Sequence, residues 1–152
     1  MVESGDIMLM GEFHHNLDAK GRIIVPARLR EDLGESIIIT RGIEDCLFIY
    51  SEAEWAKVVS KLKTLPFTKK DARSFTRMFL SGATSAEFDK QGRVTVPNPL
   101  LTYASLEKEC VVIGVGDRLE IWAKEKWDGF VEESRDDLSD WAESLFESNF
   151  EE

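Results

Sequence analysis

The phrase Asp18-Ala19-Lys20-Gly21-Arg22-Ile23-Ile24-Val25-Pro26 returns 71 positions later as Asp89-Lys90-Gln91-Gly92-Arg93-Val94-Thr95-Val96-Pro97. Asp, Gly, Arg, Val and Pro recur in register, so one structural element is built twice. An internal repeat constrains a fold more than any other sequence feature. The match continues upstream, where Gly11 aligns with Gly82 and Leu17 with Phe88. Downstream, Gly42 to Tyr50 aligns with Gly114 to Trp122, and Trp55 with Trp127, at an offset of 72. Each unit spans about 45 residues, too few to bury an adequate core alone. Two units facing each other across one shared core is the economical solution.

Local chemistry defines the unit. Glu12 to Leu17 and Arg22 to Val25 read as strands joined by a turn at Asp18-Ala19-Lys20-Gly21. Aspartate opens turns by accepting from its own downstream backbone, and glycine supplies a positive φ. Pro26 stops the strand and suits a helix start, Ala27 to Leu33 follows as a short helix, and Gly34 caps it. Ser36 to Thr40 and Cys46 to Tyr50 are strand candidates. The second unit repeats the plan with Ala83 to Phe88, Arg93 to Val96, Pro97, Cys110 to Val115 and Arg118 to Trp122.

Between the units, Ala53, Ala56, Val59 and Leu62 recur at helical spacing after a cap at Ser51. Ala72, Phe75, Met78 and Phe79 do the same, and Thr64-Leu65-Pro66-Phe67 separates the two helices. After the second unit, Trp127, Phe130, Val131, Leu138, Trp141, Leu145 and Phe146 form an apolar stripe with an acidic opposite face. That pattern predicts a helix packed on its own core, with Asn149 to Glu152 frayed. The resulting division is 12–54 for the first unit, 55–82 for a helical connection, 83–126 for the second unit and 127–152 for an acidic C-terminal helix and tail.

Charge bears on the partner. The chain has 152 residues and a net charge of −10, which argues against nucleic acid until its distribution is considered. Asp128 to Glu152 holds ten acidic residues and one basic, Arg135, and so carries nearly all the excess. Elsewhere, Asp18 to Arg30 holds Lys20, Arg22, Arg28 and Arg30 against one acid. Lys61 to Arg77 holds six basic residues against Asp71 alone. Local potential governs phosphate binding.

No apolar stretch approaches the roughly 20 residues of a membrane helix. Met1 to Asp6 is polar and acidic, unlike a signal peptide, and Met8 offers an alternative natural start. Cys46 and Cys110 lie in strand-like runs, as buried structural thiols in a reducing cytoplasm would. His14 and His15 are neighbours on a strand and point to opposite faces, so they do not share a metal. They read as one solvent-facing and one packed residue. With no nucleophile motif, metal-ligand spacing or phosphate loop, neither catalysis nor a cofactor is expected.

In the phrase itself, Asp accepts from turn N–H groups and pairs with a guanidinium, while the arginine fork also suits phosphate. A hairpin clamp and a phosphate contact both remain open. The two Asp-x-x-x-Arg phrases, Met-Gly-Glu-Phe at Met10 to Phe13, and Pro26-Ala27-Arg28-Leu29-Arg30 together resemble the SpoVT-AbrB family of DNA-binding swapped-hairpin β-barrels. The chain is most similar to bacterial members with two units in one polypeptide, from Met8 to about Phe146. The resemblance implies an α+β fold in which two tandem SpoVT-AbrB-type units interleave strands into one pseudo-symmetric swapped-hairpin barrel, with helices between and after them. It also implies closed homo-oligomeric rings and sequence-specific binding to repeated double-stranded promoter elements of the bacterial division and cell-wall gene cluster, the chain's own operon included. Cytoplasmic, nucleoid-associated localisation follows.

By transfer, Asp18, Arg22, Asp89 and Arg93 carry the family motif. Lys20, Arg28 and Arg30 join Arg22 as DNA-binding candidates on charge and proximity. Arg28 and Arg30 align with Pro99 and Leu101, so the DNA face is expected on the first unit, with the second as barrel partner. Repeated operators read by linked subunits need only weak affinity per site. The competing reading is an antitoxin-like protein-binding module that uses the acidic C-terminal helix.

Overall fold

Each copy of the phrase folds into strand, turn, strand and short helix in the computed structural model, which describes residues 7–150, with side chains to residue 147. The Met1 to Asp6 segment and the last two residues of the expected frayed end lie outside the described residues. In the first unit these elements are β1 (Leu9–Asn16), β2 (Arg22–Ile24) and α1 (Ala27–Leu33), followed by β3 (Ser36–Arg41) and β4 (Leu47–Ser51). Helices α2 (Glu52–Leu62) and α3 (Lys70–Ser81) connect to β5 (Thr84–Glu87), β6 (Arg93–Thr95), α4 (Asn98–Tyr103), β7 (Glu109–Gly116) and β8 (Leu119–Ala123). Helices α5 (Lys124–Ser134) and α6 (Leu138–Phe150) end the chain.

The strands exchange between units. One antiparallel sheet has the order β1-β7-β8-β4-β3-β5, and β2 pairs with β6 in a separate ribbon. Replacing each strand by its repeat equivalent reverses that order and leaves it unchanged. A pseudo-twofold axis therefore passes between β4 and β8 and through the ribbon, where Ile23 faces Val94. Each unit lends its first strand to the other's hairpin, β1 to β7 and β5 to β3. β1 starts at Leu9 rather than Glu12 because β7 gives it eight partners, from Leu9 opposite Gly116 to Asn16 opposite Glu109.

The shared core lies between the ribbon and the sheet. Ile23, Val25, Val94 and Val96 enter it from one side, Leu29 and Leu100 from the short helices, and Ile37, Ile39, Leu47, Ile49, Val112, Leu119 and Ile121 from the sheet. The other face of the sheet buries Phe48, Tyr50, Val111, Ile113 and Trp122 under α2, α3 and α5. A strand covered on both faces needs apolar residues without alternation, which accounts for the run Ile37-Ile38-Ile39.

Local signals hold where they are local. α1 spans the expected residues, and the N–H of Gly34 bonds to the Arg30 carbonyl. Ser51 Oγ caps α2 by accepting from the Glu54 N–H at 3.1 Å. His14 is exposed with its Nε2 2.7 Å from Glu12, and His15 is half-buried. Cys46 and Cys110 are buried free thiols, pushed by desolvation up to about 12 and about 11.

The C-terminal expectation needs correction. The apolar stripe is divided between two helices that break at residues 135–137. On α5, Trp127 and Phe130 pack on Trp122 at 5.5 and 5.6 Å between ring centres. α6 does not pack on the core: Leu138, Trp141, Leu145 and Phe146 are all exposed. The stretch Glu132 to Asp137 contains no apolar residue, so nothing holds the chain to the sheet through the break. The helix also runs through Asn149 and Phe150.

Candidate nucleic-acid interface

The two turns have the same hydrogen-bond geometry. Asp18 Oδ1 accepts from the N–H groups of Lys20 and Arg22, both at 2.9 Å, and Oδ2 accepts from Arg22 Nε at 2.7 Å. Asp89 accepts from Gln91 N and Arg93 N at 2.9 Å and from Arg93 Nε at 2.8 Å. Gly21 and Gly92 close the turns at φ 73 and 79, values that side-chain-bearing residues rarely adopt. The backbone N–H of Arg22 and then its guanidinium hold the Asp18 carboxyl below the usual aspartate range. Arg93 does the same for Asp89.

Both copies are therefore clamps. The clamp engages only the Nε edge of each arginine, and no described residue hydrogen-bonds the terminal nitrogens of Arg22. In the second copy, Arg93 Nη2 donates to Gln91 Oε1 at 3.2 Å, and Nη1 lies 3.9 Å from Asp18 Oδ2 across the twofold axis. The turns are also stapled to the opposite unit. Val96 N–H donates to the Gly21 carbonyl at 2.8 Å, and Val25 N–H to the Gly92 carbonyl at 3.0 Å.

Ribbon pairing sets the direction of the side chains. Arg22 is opposite Thr95 and Ile24 opposite Arg93. Ile23 and Val94 point into the core, so Arg22, Ile24, Arg93 and Thr95 take the outer face. Lys20 and Lys90 are exposed in the two turns at opposite ends of the ribbon. Four cations and the two clamping carboxylates make this surface net positive on an acidic chain.

The other two candidates come from α1. Arg28 is exposed beside β1, with Nη2 3.4 Å from the Met10 carbonyl and its guanidinium 5.7 Å from the Phe13 ring centre. Arg30 is half-buried and donates from Nε to the Val25 carbonyl at 2.8 Å. Its guanidinium covers Gly92, as its equivalent Leu101 covers Gly21. Lys20, Arg22, Lys90 and Arg93 thus share the ribbon with Arg30 against its second turn, while Arg28 lies off the ribbon beside β1. Sequence reasoning missed Lys90 because the tip lysine shifts by one position between copies: Ala19-Lys20 becomes Lys90-Gln91.

Two interleaved units that share a core and carry an Asp–Arg clamp each on one twofold ribbon define a tandem swapped-hairpin protein. The comparisons give the particular family. The model of the MraZ protein family, which its description classes provisionally as antitoxin-like, matches residues 8–78 and again 79–149. The chain belongs to the MraZ family. It is 55% identical over 138 residues to the transcriptional regulator MraZ of Desulforamulus reducens, covering 91% of this chain and 97% of that protein. It is 56% identical over 138 residues to the transcriptional regulator MraZ of Lactobacillus helveticus, covering 91% and 96%. A solution structure of PHS018 from Pyrococcus horikoshii aligns over 72% of this chain and 94% of that one, with 18% identity and a TM-score of 0.32. That likeness is too distant to bear on the fold.

Proposed function

We propose that this chain is a DNA-binding transcriptional regulator that engages double-stranded DNA through the outer face of the β2–β6 ribbon. The observation that carries the reading is the paired Asp18–Arg22 and Asp89–Arg93 clamps, oriented by a shared twofold axis on a net-positive face. The names of the relatives support regulation of transcription. A two-stranded ribbon fits the major groove, and duplex DNA has its own local twofold symmetry. Arg22 and Arg93 reach guanine edges or phosphates, Lys20 and Lys90 reach the flanking phosphates, and Ile24 and Thr95 meet base edges between them. Arg28 extends the contact on the first unit, and Arg30 supports the second turn. This reading gives the second unit a direct part in binding, beyond that of barrel partner.

The finer reading is assembly into rings that bind repeated promoter elements of the division and cell-wall gene cluster, including the chain's own operon. A multivalent ring converts weak single-unit contacts into useful affinity. The protein then works in the cytoplasm, on the nucleoid. A second reading, an antitoxin-like module binding a foreign protein through α6, draws on the exposed apolar face of that helix. A stoichiometric foreign partner recovered with the chain would favour it.

The test is binding to DNA upstream of the chain's own gene across a salt series. Arg22→Ala and Arg93→Ala should each weaken binding and lower the slope of log K against log salt by about one per binding unit. Unchanged affinity and slope in both folded variants would remove the ribbon as the DNA face.

A further inference from the structure

The α2–α3 hairpin carries a cationic surface that lies apart from the ribbon. Lys61, Lys63, Lys69, Lys70 and Arg77 are exposed and Arg73 is half-buried, with Asp71 the one acid between Lys61 and Arg77. Among the described residues, none of the six cations forms an ion pair. Lys63, Arg73 and Arg77 line one groove between the end of α2 and α3. Arg73 Nη1 donates to the Phe67 carbonyl at 3.0 Å and ties the connecting loop to the helix. α3 is itself clasped to the sheet, because Thr40 Oγ1 donates to the Phe79 carbonyl and Arg41 Nη1 to the Met78 carbonyl at 2.7 Å. The cations stand on a fixed platform.

The fold itself does not call for these charges. Lys61 and Lys63 close α2, where the helix dipole favours cations, but Lys69 and Lys70 open α3, where it disfavours them. At the offset that aligns Trp55 with Trp127, only Lys63 of the six has a basic equivalent, Arg135. The same barrel half is thus built without the other five. Their direction is also defined. Phe79 packs α3 on the sheet against Phe48 and Tyr50, with ring centres 6.3 and 6.5 Å away. With about 3.6 residues per turn, Lys70 and Arg77 take the side of the helix opposite Phe79. That side points away from the ribbon, because α3 covers the sheet face opposite the ribbon core.

We propose that the outer side of the α2–α3 hairpin is a second phosphate-binding surface, on which one copy holds the backbone of a second duplex segment while its ribbon holds the first. Sheet and helix layers of about 10 Å each separate the two surfaces. With a persistence length of about 150 bp, a duplex seated on the ribbon does not fold back over so short a distance. The outer cations therefore meet a different segment. Charges on the outer side of a helix bind phosphates without regard to sequence. An acidic helix is the weaker fit. α6 carries Asp140, Glu143 and Glu147 opposite Leu138, Trp141, Leu145 and Phe146, so turning its carboxylates to the cations would leave four large apolar side chains in water. The hairpin surface is separate from the ribbon, and either can fail alone.

The test is capture of a second duplex by the full-length chain. An immobilised operator duplex is loaded with protein, and a labelled duplex without operator sequence is added across a salt series. Lys63→Gln, Lys70→Gln and Arg77→Gln together should cut capture of the labelled duplex at least tenfold and lower its salt slope by about two to three. Loading on the operator duplex should stay within about twofold. Arg22→Ala with Arg93→Ala should do the opposite in solution, losing operator preference while keeping sequence-independent binding. Melting curves establish that each variant is folded, and sedimentation velocity reads its assembly state. A triple variant that captures like the natural chain would overturn the second surface, as would a natural chain that captures no second duplex. A triple variant that changes its assembly state as it loses capture would assign the cations to contacts between copies and overturn the second surface too. Operator preference that survives in the Arg22, Arg93 variant would remove the ribbon as the DNA face and leave the hairpin surface to the triple variant.

Discussion

Arg30 lies flat against Gly92, so close that a methyl group on Gly92 would sit 2.6 Å from the guanidinium carbon. This contact joins the first unit's helix to the second unit's turn. Gly92→Ala should destabilise the fold by about 1–2 kcal/mol from the left-handed backbone alone. It should also displace Arg30, so a denaturation double-mutant cycle with Arg30→Ala should show coupling of about 0.5 kcal/mol or more. Simple additivity would mean that Arg30 does not hold the turn.

The clamps predict an acid-sensitive hairpin. The folded carboxyls of Asp18 and Asp89 are depressed, so their stabilisation is fully present above the unfolded aspartate value of about 3.9 and fades as pH falls through the lower folded value. The double variant Asp18→Asn, Asp89→Asn should be less stable at neutral pH and lose less stability on acidification. Parallel stability curves for the two proteins between pH 6 and pH 2 would show that the clamps contribute nothing to that dependence.

Ile24 is the exposed apolar residue on the ribbon's outer face, at 40%. If the ribbon reads bases, Ile24→Ala should reduce discrimination between operator and unrelated DNA by about 1 kcal/mol while leaving the salt slope intact. A lower salt slope with unchanged discrimination would indicate that the ribbon lies along the backbone instead.

Cys46 and Cys110 should resist alkylation at pH 8 in the folded protein, because desolvation keeps both thiols protonated. Labelling by mass spectrometry should accelerate by orders of magnitude in denaturant. Rapid modification of the native chain would show that one of these strands opens readily.

The clearest local agreement is at α1 and at Ser51. Pro26, the helix and Gly34 are linked by bonds within a few residues, as are Ser51 Oγ and the Glu54 N–H, so neighbouring residue types suffice to specify them. The same holds for Asp18 with Arg22 and for Asp89 with Arg93. The DNA-face candidates are mixed for the same reason. Arg22 is fixed by its own turn, whereas the place of Arg30 depends on Gly92, 62 positions away in the chain. Lys90 gains significance only because β2 pairs with β6.

The chain's own order of residues determines that a unit was doubled, that each copy bends through an Asp–Gly turn, and that each arginine has an aspartate within reach. The doubling is legible as a repeat, and the turn and the clamp depend on separations of a few residues. The strand exchange was implied by family resemblance, and tertiary structure alone sets its register, β1 on β7 and β5 on β3. It also decides that α3 is clasped while α6 is left exposed. Periodicity reveals that a helix has an apolar face. What covers that face depends on distant partners: Thr40 and Arg41 donate to the Phe79 and Met78 carbonyls of α3, whereas their counterparts by sheet register, Ile113 and Gly114, have no side-chain donor to offer α6.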